Sequence, residues 1–398
     1  MKENQALLHK NLQLYSIYSA FTNLLILGPI LTLYLLYRGL TFTQILSLQS
    51  VAAITVTVME VPTGAVGDLL GRKKSLIIGT FAMLLALLIY GFGNHYIYYI
   101  AAEILFSLGM SFKSGSDTAL IFDTLKELKR VDDFKNVIGK GQFYALVAQI
   151  PGSILAGYAY ELDYRLPFII SAVFMLITLL IELQLTEVQV FAHQEKPKYR
   201  QQIKESFSMA WRIEKVRAVI LYTMGFYIFF RISYWVYQPY FKAVDIPVIY
   251  FGYIFAGFNL VAAIASKRSP IFIERTKGWT LIGLSVLMII SFLGAGLIHS
   301  WIGILLLCIQ QYIRGIYKPS VMKYINKHIE SEQRATIISI QSLMSNLVVA
   351  LLMPLAGWII DKVDIFTANL IFAGALSLVT FMSHHYLKQK MGPAKIRA

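Results

Sequence analysis

Long apolar runs, interrupted at fairly even intervals by short polar clusters, set the pattern of the chain from residue 12 to residue 386. A helix needs about twenty mostly apolar residues to cross a bilayer. A window of that length picks out twelve stretches, at 12–37, 43–69, 75–93, 96–122, 138–160, 166–185, 217–240, 248–266, 279–298, 301–322, 336–360 and 365–386. The expected fold class is an all-α polytopic membrane protein with twelve transmembrane helices. Basic residues gather in alternate loops, at Arg72–Lys74, Lys126–Lys135, Lys196–Arg217, Lys267–Lys277 and Lys323–Arg334, against only Arg38, Arg165, Lys242 and Lys362 on the other side. The positive-inside rule then predicts that those loops and both termini face the cytoplasm. The N-terminal run is too long for a signal-peptide core and lacks a small-residue cleavage site, so it reads as a retained helix.

The longest polar interval divides the stretches six and six. The expected organisation is a six-helix bundle at 1–187, a cytoplasmic linker at 188–214 and a second six-helix bundle at 215–398. The halves echo one another. Pro151, Gly157, Tyr158 and Glu161 of the fifth stretch match Pro354, Gly357, Trp358 and Asp361 of the eleventh in order and type.

Composition narrows the class. Hydrophobic residues make up 57% of the 398 positions and charged ones 15%, against about 25% charged in soluble domains. The formal net charge of +14 sits mainly in the loops of one side, so it predicts orientation in a lipid bilayer and argues against nucleic acid as partner. The single cysteine, Cys308, excludes an intrachain disulfide, and the seven histidines show no metal-ligand spacing. No cofactor motif is present. No glycine-rich phosphate loop occurs either, which argues against an ATP-driven pump. A membrane enzyme remains a distant alternative, because no Ser/His/Asp set or catalytic-cysteine environment is found.

The second stretch ends in Glu60-Val61-Pro62-Thr63-Gly64-Ala65-Val66-Gly67-Asp68-Leu69-Leu70-Gly71-Arg72-Lys73-Lys74. Together with Ser114–Leu125, Tyr237–Phe241 and Arg334–Leu343, this loop resembles the major facilitator superfamily, and within it the bacterial drug:proton antiporters and the macrolide-efflux-like group. The usual basic residue after the aspartate is replaced by Leu69, and the proline and glycine of the antiporters' fifth helix are inverted as Pro151-Gly152. The resemblance implies two six-helix halves, a small-molecule substrate, protons as coupling ion, a location in the cell membrane and a monomer. It also implies a conformational gate made by Gly64, Asp68, Gly71, Arg72 and Lys73, with Asp68 close to the stretch from Arg334 to Ser339.

Charged groups inside a membrane are costly and mark candidate sites. Glu103, Ser107, Met110, Ser114 and Asp117 recur at helical spacing on the fourth stretch, with Lys113 one turn from Asp117 and within ion-pair reach. Asp117 is the expected proton carrier, Glu60 and Glu103 are alternates, and Lys113 biases the protonation. A permanent Lys113 to Asp117 salt bridge with a purely structural role is the competing reading. Expected substrate-cavity residues are Asn23, then Tyr227, Arg231, Tyr234, Trp235 and Gln238 on the seventh stretch, and Gln311, Arg314 and Tyr317 on the tenth. The family resemblance favours proton-coupled export of amphipathic, drug-like molecules. The deep Lys113, Arg231 and Arg314 point instead toward a carrier for an anionic metabolite.

Overall fold

The computed structural model describes residues 2–188, 214–328 and 331–391; most of the 188–214 linker and the last seven residues lie outside it. Fourteen α-helices and no strand are found among the described residues. They are α1 (Lys2–Thr22), α2 (Leu31–Tyr37), α3 (Phe42–Leu70), α4 (Arg72–Phe92), α5 (Tyr96–Lys113), α6 (Ser116–Glu127), α7 (Phe134–Leu162), α8 (Leu166–Gln184), α9 (Glu214–Ala243), α10 (Ile249–Thr276), α11 (Thr280–Leu297), α12 (Gly303–His328), α13 (Ser331–Lys362) and α14 (Ile365–Met391). Eight of these, α3, α4, α8, α9, α10, α11, α13 and α14, contain a stretch long and apolar enough to cross a membrane. The other predicted stretches are α7, the glutamine- and arginine-bearing α12, and two that are broken.

Both breaks depart from the sequence expectation, which ran a continuous helix through each. The first stretch stops at Thr22 and resumes at Leu31, around Gly28 and Pro29, where proline has no N–H to donate. Free backbone at membrane depth survives only when protein satisfies it. Here Ile26 N donates to the buried Ser171 Oγ at 3.2 Å, and Asn23 Nδ2 donates to Ser19 O at 2.9 Å. The fourth stretch breaks between α5 and α6 at Ser114-Gly115, where Gly115 takes the left-handed φ of +78° that side chains other than glycine rarely adopt.

The chain forms two compact units. One comprises residues 1–40, 51–194 and 248–256, and the other residues 41–50, 195–247 and 257–398. In the first, Tyr15, Tyr18, Leu76, Leu120, Ile121, Leu125, Ile181 and Leu185 form a buried cluster that ties α1, α4, α6 and α8 together. The second is built on aromatic packing along α9, where Tyr237, Tyr240 and Phe241 are almost wholly buried.

The repeated Pro-Gly-aromatic-acid pattern has a structural counterpart in each unit. In the first, Gly157 of α7 brings its backbone against Val248 and Ile249, and Glu161 Oε1 accepts from Ile249 N at 3.2 Å at the start of α10. In the second, Gly357 of α13 approaches Phe42 and Thr43, and Asp361 accepts from Phe42 N at 2.7 Å, Thr43 N at 2.8 Å and Thr43 Oγ1 at 2.6 Å at the start of α3. A missing side chain permits the close approach, and an acid then satisfies the orphan N–H groups of a helix N-terminus.

Candidate functional site

In the first unit the charged residues of the fourth stretch do not form one stripe. The break at Gly115 ends α5 on Lys113 and places Asp117 in the first turn of α6, where its Oδ1 accepts from Thr118 N at 2.7 Å. Lys113 therefore does not make the expected ion pair with Asp117. Its ammonium lies 2.7 Å from Glu182 Oε1 on α8 and also donates to Thr80 Oγ1 on α4, with the Tyr18 ring 4.9 Å away. Thr80 in turn donates to the same Glu182 oxygen at 2.7 Å. Glu182 is completely buried and is a site residue that sequence reasoning missed. Its signal was present: it is the one acid within the apolar run from Leu166 to Leu185.

The two alternate acids differ sharply in setting. Glu103 is buried at 8% exposure and accepts a hydrogen bond from Tyr90 Oη. Glu60 is exposed on α3.

The segment from Gly64 to Lys73, which ends α3 and begins α4 with only Gly71 between them, is fastened within its own unit. Asp68 pairs with Arg72 at 2.6 Å, one turn away across Gly71. Glu187, just beyond α8, accepts from Arg72 N at 2.9 Å and Lys73 N at 2.8 Å and so caps α4, while Lys73 Nζ donates to Leu183 O at 2.8 Å. Gly64 faces open space. Of the stretch expected beside Asp68, Arg334 to Ser339, the side chains of 334–336 lie outside the described residues. Beside this loop, Asp123 in the last turns of α6 has its carboxyl pushed up by burial, with Arg72 opposing the shift.

A cavity of about 700 Å³ opens between α1 and α7 of the first unit, lined by His9, Gln13, Ser16, Arg130, Lys140 and Tyr144 among others. Asn23 is not among its lining residues; its Nδ2 donates to Ser19 O within α1 and the turn that follows.

The second unit gathers the other predicted residues. Arg231 on α9 donates from Nη2 to Gln49 Oε1 at 3.0 Å. Arg314 on α12 donates from Nη1 to Asn259 Oδ1 on α10 at 3.2 Å and to Gln311 Oε1 at 3.3 Å. Gln311 Nε2 donates to Tyr237 Oη at 3.0 Å, which fixes the orientation of the amide. Both guanidinium groups lie near enough to the Tyr234 hydroxyl to act on it electrostatically. Neither has a carboxylate partner among the described residues. Tyr317 packs face to face with Phe226 and Phe230, at centroid distances of 5.2 and 5.4 Å, and with Tyr227 at 6.3 Å. Trp235 and Gln238 are buried at 4% and 1% exposure, and the Trp235 ring packs edge-on to Tyr234. Gln49 and Asn259 were not anticipated, because isolated amides in apolar helices resemble interhelical glue.

Chemically, the arrangement offers two fixed cations beside an aromatic surface in one unit, and an acid neutralised by a lysine in the other. No set of nucleophile, base and oxyanion donors accompanies them among the described residues.

Similar proteins share this architecture. The Major Facilitator Superfamily profile matches residues 15–290 and again 232–395. YxaM of Bacillus subtilis (strain 168), described as an uncharacterized MFS-type transporter, is 28% identical over 331 residues, which is 80% of either chain. Among solved structures, the nucleoside transporter NupG aligns with a TM-score of 0.80 at 17% identity, covering 95% of this chain and 99% of its own. A D-xylose-proton symporter aligns with a TM-score of 0.69 at 14% identity, over 98% and 99% of the two chains. At such identities the structures speak for the fold alone, whereas the profile covers nearly every residue from the first helix to the last. An integral membrane protein with this helical order and this match belongs to the Major Facilitator Superfamily of transporters.

Proposed function

We propose that the protein is a proton-coupled secondary transporter of the cell membrane, working by alternating access as a monomer, and that its cargo carries negative charge. Arg231 and Arg314 carry this reading. Each guanidinium has five donors in a rigid fork, and among the described residues each is held by neutral amide oxygens. A fixed cation within a membrane protein calls for a counter-charge, and an anionic group of the cargo supplies it bidentately. The aromatic wall of Phe226, Tyr227, Phe230 and Tyr317 adds a face for an apolar or planar portion of the same molecule. Two six-helix bundles, 1–187 and 215–398, joined by the 188–214 linker, with both termini in the cytoplasm, complete the proposed organisation. Proton coupling is assigned to the first unit, where Asp117, Glu103 and Lys113 lie; the D-xylose-proton symporter of the same fold supports protons as the driving ion.

A second reading, export of amphipathic drug-like cations, is favoured by the same aromatic wall, since aromatic faces also attract cations. Flux in proteoliposomes separates the two. Under an imposed pH gradient, saturable movement of organic anions is expected, with Arg231→Gln and Arg314→Gln each lowering uptake at subsaturating substrate by about tenfold or more, as the loss of a charged hydrogen bond implies. Movement of lipophilic cations alone, indifferent to both substitutions, would establish the export reading in its place. Absence of saturable flux for every class would remove both.

A further inference from the structure

The two oxygens of Glu182 are treated unequally. Oε1 accepts from Lys113 Nζ and Thr80 Oγ1, each at 2.7 Å, whereas Oε2 is buried with no hydrogen-bond partner. A fully buried carboxylate served on one side only depends on its single cation, because an isolated buried charge neutralises itself when the partner leaves. That cation stands at a joint. Lys113 is the last residue of α5, followed by Ser114 and the left-handed Gly115, and α6 begins at Ser116. Asp117 lies beyond the joint, close enough to act on Lys113 electrostatically. In an unbroken helix the two would stand four residues apart, the spacing at which a lysine and an acid pair. Two acids thus compete for one lysine across a hinge.

Taking the protein to be a proton-coupled transporter, we propose that Lys113 is a transferable counter-ion. In the present state it neutralises Glu182; when the Ser114-Gly115 joint straightens it pairs with Asp117, and Glu182 takes up a proton. The step balances simply. A proton from the aqueous phase adds to Glu182 Oε2 to give the neutral acid, while the ammonium keeps its three protons and its charge and now neutralises the Asp117 carboxylate. Return of Lys113 to Glu182 expels the proton to whichever phase the site then faces. The titratable and charged groups around Glu182 are Lys113 on α5, Tyr18 on α1, Asp117 on α6 acting through Lys113 and Tyr18, and Lys73 on α4, whose ammonium is bonded to the neighbouring Leu183 O. From α7, Phe134, Val137 and Ile138 pack against the adjoining apolar cluster.

Infrared pH-difference spectroscopy on the full-length protein in lipid tests this with the proton alone as ligand. Acidification from about pH 8 to about pH 5, a window above the ordinary carboxylate range, is expected to produce the carbonyl band of a protonated acid in apolar surroundings. Glu182→Gln should abolish the band. Gly115→Ala, which disfavours the left-handed joint, should enlarge it at a given pH. A wild-type protein without the band, or a band that Glu182→Gln leaves intact, would overturn the switch. Should Glu182→Gln fail to fold, dicyclohexylcarbodiimide, which modifies protonated buried carboxyls, decides on the wild type. Label on Glu182 that grows as pH falls supports the switch, and label elsewhere or nowhere sinks it. A protonating Glu182 in a protein without saturable flux would remove the transport reading while leaving the switch. Proton-driven flux retained in full by Glu182→Gln would do the reverse.

Discussion

Lys113 in the first unit and Arg314 in the second are both cations on helices of a membrane protein, yet their surroundings are opposite. Lys113 is mostly buried and closes on a carboxylate that has no exposure at all. Arg314 is exposed and rests on two amide oxygens. A closed pair holds the fold and is expensive to open; a cation on neutral partners costs little to remove and remains able to receive an anion. The same residue class is therefore expected to register strongly in stability at Lys113, besides its part in proton transfer, and in transport with little effect on stability at Arg314.

The largest effect should come from opening the closed pair. Lys113→Met strands Glu182 without a counter-charge, and removing one partner of a buried pair costs about 3–5 kcal/mol. Thermal unfolding in detergent should show this loss, and the double variant Lys113→Met with Glu182→Met should recover most of it, because replacing both charges by apolar groups is often neutral. Arg314→Gln in the same assay should change stability by less than about 1 kcal/mol, the net worth of an ordinary hydrogen bond. Equal losses for Lys113→Met and Arg314→Gln would erase the contrast.

The two capped helix starts provide an intermediate test. Asp361 receives three hydrogen bonds at the start of α3, and Glu161 one at the start of α10. Replacing a capping acid by alanine costs about 0.5–2 kcal/mol. Asp361→Ala is expected near the upper end of that range and Glu161→Ala near the lower, by the same unfolding measurement. The reverse order would show that the count of bonds does not govern these joints.

How much of this was legible follows from the range of each interaction. Helix positions follow from apolar runs, which are local, and the matching Pro151–Glu161 and Pro354–Asp361 patterns were legible because the same backbone device is used twice. The break at Gly115 was harder to see, since serine and glycine are common within membrane helices and only the +78° torsion distinguishes a hinge from a packing site. With the hinge unseen, four-residue spacing gave Lys113 the wrong partner. Its actual partner, Glu182, lies 69 positions away, a pairing that no periodicity encodes. Arg231 and Arg314 stood out by charge alone, but their amide partners Gln49 and Asn259 depend on tertiary placement. The Asp68 to Arg72 pair, four residues apart, was within reach of local spacing, whereas its companion Glu187 was not.

The smallest expected effect concerns Asp364, between α13 and α14 and outside the membrane. Its carboxylate accepts from Thr367 Oγ1 at 2.6 Å, Phe366 N at 2.9 Å and Thr367 N at 3.0 Å. These donors, the Thr367 hydroxyl foremost, hold its carboxyl below the usual aspartate value. A group depressed in this way contributes stability above the unfolded-state value and loses it as pH falls through the folded-state one. The contribution is therefore complete at neutral pH and disappears only in acid, below about pH 4. Because the group is exposed and screened by water, the effect on unfolding temperature should be small. Asp364→Asn should lower the unfolding temperature slightly at pH 7, and the difference from wild type should vanish in acid. A difference at Asp364 that persists unchanged into acid would show that the residue caps α14 through geometry alone, with its charge contributing nothing.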